Sequence, residues 1–124
     1  MALQKIVVLD TNFLLALTQK KIDFAPLIRE FFDSPVRLVV LKPCLSELKA
    51  LKEGKRAFAA ISEYLRANSV DEIATSAQSA DKAIFDFACE RGAVVATLDY
   101  VLRQRLKKAG VQSITLKNKS IVSP

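Results

Sequence analysis

The chain contains no histidine. That absence removes Ser-His-Asp and Cys-His catalysis in their usual forms, where an imidazole takes the proton of the nucleophile. It also removes zinc sites built on imidazole, and the two cysteines, Cys44 and Cys89, cannot complete a structural zinc site alone. Any catalysis is left to carboxylates and a hard metal ion. Both cysteines fall in helical stretches among apolar neighbours and are expected as reduced, buried thiols. No apolar run approaches the roughly 20 residues that span a bilayer. Met1-Ala2-Leu3-Gln4-Lys5 leads straight into a short apolar stretch ending on an acid, which is not the pattern of a signal peptide. A cytoplasmic protein with no membrane contact is expected. There is also no low-complexity tract, which argues against disorder.

What is present suits one folded unit. The 124 residues are 51% hydrophobic, enough for a core without disulfides, and a single domain over 1–124 is expected. The formal net charge is +6. A surplus of that sign fits a polyanionic partner such as nucleic acid, and fits an ordinary solvated basic surface equally well.

Short segments rich in Val, Ile and Leu recur at 5–9, 37–41, 70–74, 93–96 and 112–116. Helical patterns fill the gaps, at 11–20, 24–32, 42–53, 55–67, 79–91 and 100–109. Gly54 separates the third from the fourth, Ser79 offers an N-cap, and Gly92 and Gly110 stop the last two. Continuously apolar strands alternating with helices indicate a parallel sheet covered on both faces, a three-layer α/β/α fold. The functional edge of such a sheet lies at the carboxyl ends of its strands.

The acids fall where that edge should be. Asp10 directly follows the first strand and Asp99 closely follows the fourth. Each could cap the helix behind it, and the two together suggest a shared site. On a helical wheel Cys44, Leu48 and Leu51 form an apolar stripe, with Glu47 at its margin and away from Lys42, Lys49, Lys52 and Glu53. A carboxylate there costs free energy unless it reaches water, pairs, or binds a cation. Asp81 lies at the margin of the stripe Ala80, Ile84, Phe87 and Ala88, where the helix dipole alone could also account for an acid. Asp86 projects to the far face beside Lys82 and Glu90 as an ordinary exposed acid. Four carboxylates on one edge repel one another without a counter-ion, and a cluster of hard oxygens selects Mg²⁺ or Mn²⁺. One or two such ions could activate water and stabilise the charge on a cleaving phosphodiester. Behind Asp99, Arg103 and Lys107 share a helix face opposite Val101, Leu102, Leu106 and Ala109. That face is a candidate path for an RNA backbone, or simply a solvated basic surface.

Four pieces resemble the PIN domain nucleases, in order and at suitable spacing. They are Val7-Val8-Leu9-Asp10-Thr11-Asn12, Pro43-Cys44-Leu45-Ser46-Glu47-Leu48, Ser79-Ala80-Asp81-Lys82-Ala83-Ile84 and Val94-Val95-Ala96-Thr97-Leu98-Asp99. The resemblance implies a PIN-like fold with a central five-stranded parallel sheet in the order 3-2-1-4-5. It implies a metal-dependent endoribonuclease, with Asp10, Glu47, Asp81 and Asp99 as catalytic and metal-binding acids and Thr11, Asn12 and Thr97 as supporting residues. It implies Mg²⁺ or Mn²⁺ as cofactor and RNA as substrate. A second copy of the chain, an antitoxin or a ribosome-assembly factor are the partners it brings into view. The ending Ala109-Gly110-Val111-Gln112-Ser113-Ile114 resembles the rRNA-processing type and small archaeal-style members. Two positions depart from the family pattern. Leu98 stands where many members have a polar residue, and Tyr100 and Val101 stand where some have a further acid. These departures touch a second metal site and keep a second class of function open, a PIN-fold module that binds RNA or a ribosome-assembly partner without turnover. A phosphotransfer receiver also places acids after its first strand, but the chain order of Glu47 and Asp99 fits it poorly.

Overall fold

In the computed structural model, which describes residues 4–124, β1 (Lys5–Leu9) and β2 (Val36–Leu41) lie parallel, with Val7 opposite Leu38 and Val8 opposite Val39. β3 (Asp71–Ile73) adds to the far side of β2, β4 (Val94–Ala96) to the other side of β1, and β5 (Ser113–Lys117) to β4, all parallel. The order 3-2-1-4-5 is the one the resemblance implies. β1, β2 and β4 form the centre, and apart from Val36 at the start of β2 their Val, Leu and Ala side chains are almost wholly buried, which is why these strands read as apolar runs.

The sheet has a sixth strand that the sequence reading does not contain. β6 (Ser120–Val122) turns back antiparallel on β5, with Lys117 opposite Ser120 and Leu116 opposite Ile121. Asn118 and Lys119, the two loop residues, both have positive φ, 50° and 63°. Two left-handed residues make the tight hairpin turn whose twist matches that of the strands. The usual sequence mark of that turn is a glycine, and here a lysine occupies its second position.

The helices are α1 (Thr11–Gln19), α2 (Phe24–Phe31), α3 (Lys42–Ala50), α4 (Lys52–Ala67), α5 (Ala80–Arg91) and α6 (Tyr100–Lys108). Right-handed crossovers leftward from β1 put α1 to α4 on one face, and the return through α5 and α6 covers the other. α1 and α3 pack on α4 accordingly. Under them Phe24 is fully buried, its ring 5.2 Å from that of Phe13 and 5.0 Å from that of Tyr64. The Tyr64 hydroxyl accepts from the Ala25 N–H and donates to Asp23, anchoring the start of α2. Gly92 closes α5 in the left-handed conformation, φ 63°.

Several local expectations are corrected. The break between α3 and α4 falls at Leu51, in extended conformation, not at Gly54. Gly54 instead lies buried inside α4, where a Cβ would stand 2.0 Å from the Leu48 carbonyl oxygen. Its role is close approach of α4 to α3. Leu51 thereby leaves the apolar stripe and is partly exposed. Cys44 is buried and free as expected, but Cys89 is free and exposed, one residue's rotation past the buried Ala88. On α6 only Leu102 and Leu106 are buried; Val101, a quarter-turn away, is 67% exposed, and Ala109 lies beyond the helix end. Among the described residues no helix is long and apolar enough to cross a membrane.

Candidate active site

Leu9 and Ala96 are register partners on neighbouring strands, so the residues that follow them, Asp10 and Thr97, meet at the carboxyl edge. The Asp10 N–H extends the ladder to the Ala96 carbonyl at 2.9 Å, and the Thr97 N–H does the same to Ile114 at 3.1 Å. The backbone of Asp10 is extended, which makes it the N-cap of α1. Its Oδ1 accepts from the Thr11 N–H at 2.8 Å and its Oδ2 accepts from the Thr97 hydroxyl at 2.7 Å. The residue is 3% exposed.

A small polar network holds that geometry. Thr97 Oγ1 also accepts from the Asp99 N–H at 3.0 Å. Asn12 Oδ1 accepts from the Leu98 N–H at 2.9 Å and stands 3.3 Å from Thr97 Oγ1. The hydroxyl has one proton, and the nearer, charged Asp10 oxygen takes it. Thr11 Oγ1 donates to the Cys44 carbonyl at 3.3 Å, tying the first turn of α1 to that of α3. That last partner is main chain, so no residue type in the sequence advertises it.

Glu47 is exposed on α3 one turn beyond Cys44, and Asp81 is exposed in the first turn of α5, which Ser79 caps through the Lys82 N–H at 3.3 Å. α3 packs against α5, and α5 against β1. Their charges are felt at Asp10, whose carboxyl is pushed up to about 6. Burial is the main cause; the bonds from Thr97 and Thr11 pull the other way, and the carboxylates of Asp81 and Glu47 add to the rise. The Cys44 thiol lies within reach of the same charges. Burial pushes it up to about 12, with Asp10, Glu47 and Asp81 contributing in the same direction. Cys44 is therefore an inert thiol. Three acids from α1, α3 and α5 thus bear on one spot.

Asp99 holds a different position. It is half-buried, it caps α6 by accepting from the Leu102 N–H at 3.1 Å, and Thr97 links it to Asp10. Leu98 is half-buried and packs on the core, so only its N–H enters the network. Asp86 lies beside Lys82 as expected, its side chain 43% exposed and paired with that lysine at 3.0 Å. Arg103 is half-buried and Lys107 exposed, and both line a cavity of about 370 Å³ with Tyr100 and Gln104.

The donor set is oxygen only. Among the described residues Asp10, Glu47, Asp81 and Asp99 form no ion pair; three of the nine other acids do, Asp71 with Arg37 at 2.8 Å, Asp86 with Lys82 and Glu63 with Arg66. Like charges around a buried carboxylate, left without a cation, fit a hard divalent ion. As they stand, no three acidic or cysteine side chains among the described residues are close enough to hold one ion jointly. Glu47 and Asp81 are the exposed members and would have to turn inward to ligate it.

Comparison with known proteins bears on this edge. Residues 7–119 match the family model described as PIN like domain. The chain belongs to that family. This PIN domain is 28% identical over 119 residues to ribonuclease VapC4 of Methanocaldococcus jannaschii, covering 91% of each chain. Its fold is similar to the structure of the PIN domain endonuclease Utp24, with TM-score 0.79, 23% identity, and 95% and 90% of the two chains covered. It is also similar to a domain of a functionally unknown protein from Methanocaldococcus jannaschii, with TM-score 0.66, 15% identity and 91% of each chain covered. At these identities the two structural likenesses concern the fold.

Proposed function

We propose that this PIN domain is a metal-dependent endoribonuclease that hydrolyses RNA phosphodiester bonds with Mg²⁺ or Mn²⁺. The observation that carries the reading is the buried Asp10 carboxylate, held by Thr97 and Thr11 and repelled by Asp81 and Glu47. The ribonuclease named among its relatives supports RNA as the substrate.

Asp10, Glu47 and Asp81 are the residues that would hold the ion, with Asp99 beside them. A bound divalent ion supplies Lewis-acid polarisation of the phosphoryl oxygen and lowers the pKa of water. The chain's own residues do the rest. Thr97 fixes the Asp10 carboxylate and, through the Asp99 N–H, sets the start of α6. Asn12 holds the Leu98 backbone, so the loop between β4 and α6 keeps its shape. Arg103 and Lys107 stand behind Asp99 on α6 as cations for the phosphate backbone.

The test is cleavage of single-stranded and structured RNA in Mn²⁺, Mg²⁺ or EDTA, wild type beside Asp10→Asn. Cleavage that needs the metal and is lost in Asp10→Asn supports the reading. Cleavage that survives EDTA or the substitution refutes it. RNA bound without turnover under every condition would establish instead the second function, an RNA-binding PIN module.

A further inference from the structure

The β5–β6 hairpin assembles something the linear sequence does not display. It puts Lys117, the last residue of β5, into the lining of one groove with two cations from distant parts of the chain: Lys20, at the C-cap of α1, and Arg103 of α6. With Leu98 and Leu116 they line an open groove of about 540 Å³. Lys20 and Lys117 are exposed. Among the described residues none of the three cations is in an ion pair. Arg103 is half-buried, its guanidinium lies 5.6 Å from the centre of the Tyr100 ring, and its Nε is buried without a hydrogen-bond partner. The buried Nε is out of reach of a ligand in the groove, but the guanidinium as a whole makes no hydrogen bond or ion pair among the described residues, which leaves its terminal nitrogens free to take an acceptor.

Leu98 links the groove to the loop that follows β4. It forms part of the groove's lining, and its N–H is bonded to Asn12, next to Thr97 and Asp10. The basic groove thus adjoins the loop that carries Asp99, an arrangement suited to holding a polyanion beside an acid-bound cation. We propose that this groove is a backbone subsite for single-stranded RNA, with Arg103 donating to a phosphate and Lys20 and Lys117 flanking it as point charges. The path of the strand then crosses α6 towards the hairpin. The inference rests on the nuclease reading for its choice of polyanion, while the site stands on the convergence of the three side chains.

The experiment measures binding of a short fluorescein-labelled oligouridylate in EDTA, across a range of salt, with cleavage in Mn²⁺ assayed separately. Lys20→Ala with Lys117→Ala is compared with wild type and with Lys5→Ala plus Lys108→Ala, which removes the same charge elsewhere on the surface. All four positions are solvent-facing or half-buried, and circular dichroism melting verifies the folds. The groove pair should weaken binding about tenfold more than the control pair and flatten the slope of log K against log salt by about 1.4, roughly 0.7 for each phosphate no longer neutralised. Equal losses in the two pairs, an unchanged slope, or no binding by wild type would overturn the subsite. Binding that behaves as expected with no cleavage in Mn²⁺ would sink the nuclease reading and leave the subsite standing. Cleavage with unaffected binding in the groove pair would do the reverse.

Discussion

The hydroxyl of Thr97 donates to Asp10 Oδ2 across 2.7 Å, joining residues 87 positions apart in the chain. The same oxygen accepts from the Asp99 N–H, so one threonine sets both strand-end acids.

Thr97→Val keeps the shape and removes that hydroxyl. It leaves a buried carboxylate oxygen and the Asp99 N–H short of a partner, at a cost of about 1–3 kcal/mol. The Asp10 carboxyl, already near 6, loses a bond that favours its charged form and should move higher. In EDTA, the pH window over which stability falls should follow it upward. Thr97→Ser should restore both properties. A valine variant with the wild-type melting temperature and pH window would remove Thr97 from the network.

Asp10 itself predicts a pH signature. Its carboxyl titrates near 3.8 when unfolded and near 6 when folded, so between those values the folded state holds a proton that the unfolded state has lost. Stability therefore falls as pH rises through that window, and the penalty is complete above it. Two units correspond to about 3 kcal/mol. Asp10→Asn lacks this penalty: its amide can donate to Thr97 Oγ1, whose proton then turns to Asn12. In EDTA, the variant should be more stable than wild type above about pH 6, and the advantage should fade towards pH 4. Urea denaturation at several pH values measures it, and a pH-independent difference would refute the assignment.

Gly54→Ala should be severely destabilising, although alanine is the better helix former. A Cβ placed 2.0 Å from the Leu48 carbonyl oxygen meets main chain that cannot rotate aside. α4 would have to separate from α3, at a cost of about 2–4 kcal/mol. A Tm within about 2 °C of wild type would mean that the two helices separate easily.

That glycine shows where the sequence stops being legible. The parallel sheet and the placing of Asp10 and Asp99 at its carboxyl edge follow from apolar runs and what stands after them, because burial on both faces leaves an unbroken signal; Glu47 and Asp81 are read from the margins of helix stripes, and the strand order from the family resemblance. Gly54 reads as punctuation because a close approach between helices and a helix break both call for glycine. The hairpin is silent in the sequence because Asn118 and Lys119 adopt left-handed backbone without a glycine to signal it. Arg103 is legible as part of a basic helix face, but Lys20 and Lys117 read as scattered surface charge, since only the fold puts all three in one groove. Val101 reads as part of the buried side of α6, and is exposed because two leucines suffice to seat that helix.

The acids also predict how the protein responds to metal. Asp10, Glu47 and Asp81 repel one another when no cation is present, so an ion that binds them stabilises the folded state by mass action. At a hundredfold excess over Kd the gain is about 2.7 kcal/mol, which for a domain of this size is about 10 °C in Tm. Glu47→Gln and Asp81→Asn should each lose most of that gain, and in EDTA should melt at or above the wild-type temperature because a repulsion has been removed. Asp99→Asn separates the two roles of Asp99. Asparagine still caps α6, since its oxygen accepts from the Leu102 N–H as the carboxylate does, so its Tm in EDTA should match wild type. Its response to Mn²⁺ then reports ligation alone: a reduced gain makes Asp99 a ligand, and an undiminished gain confines it to the cap. A wild-type Tm indifferent to Mn²⁺ would show that these acids hold no ion, and a Tm raised equally in Asp10→Asn would show that the ion binds elsewhere.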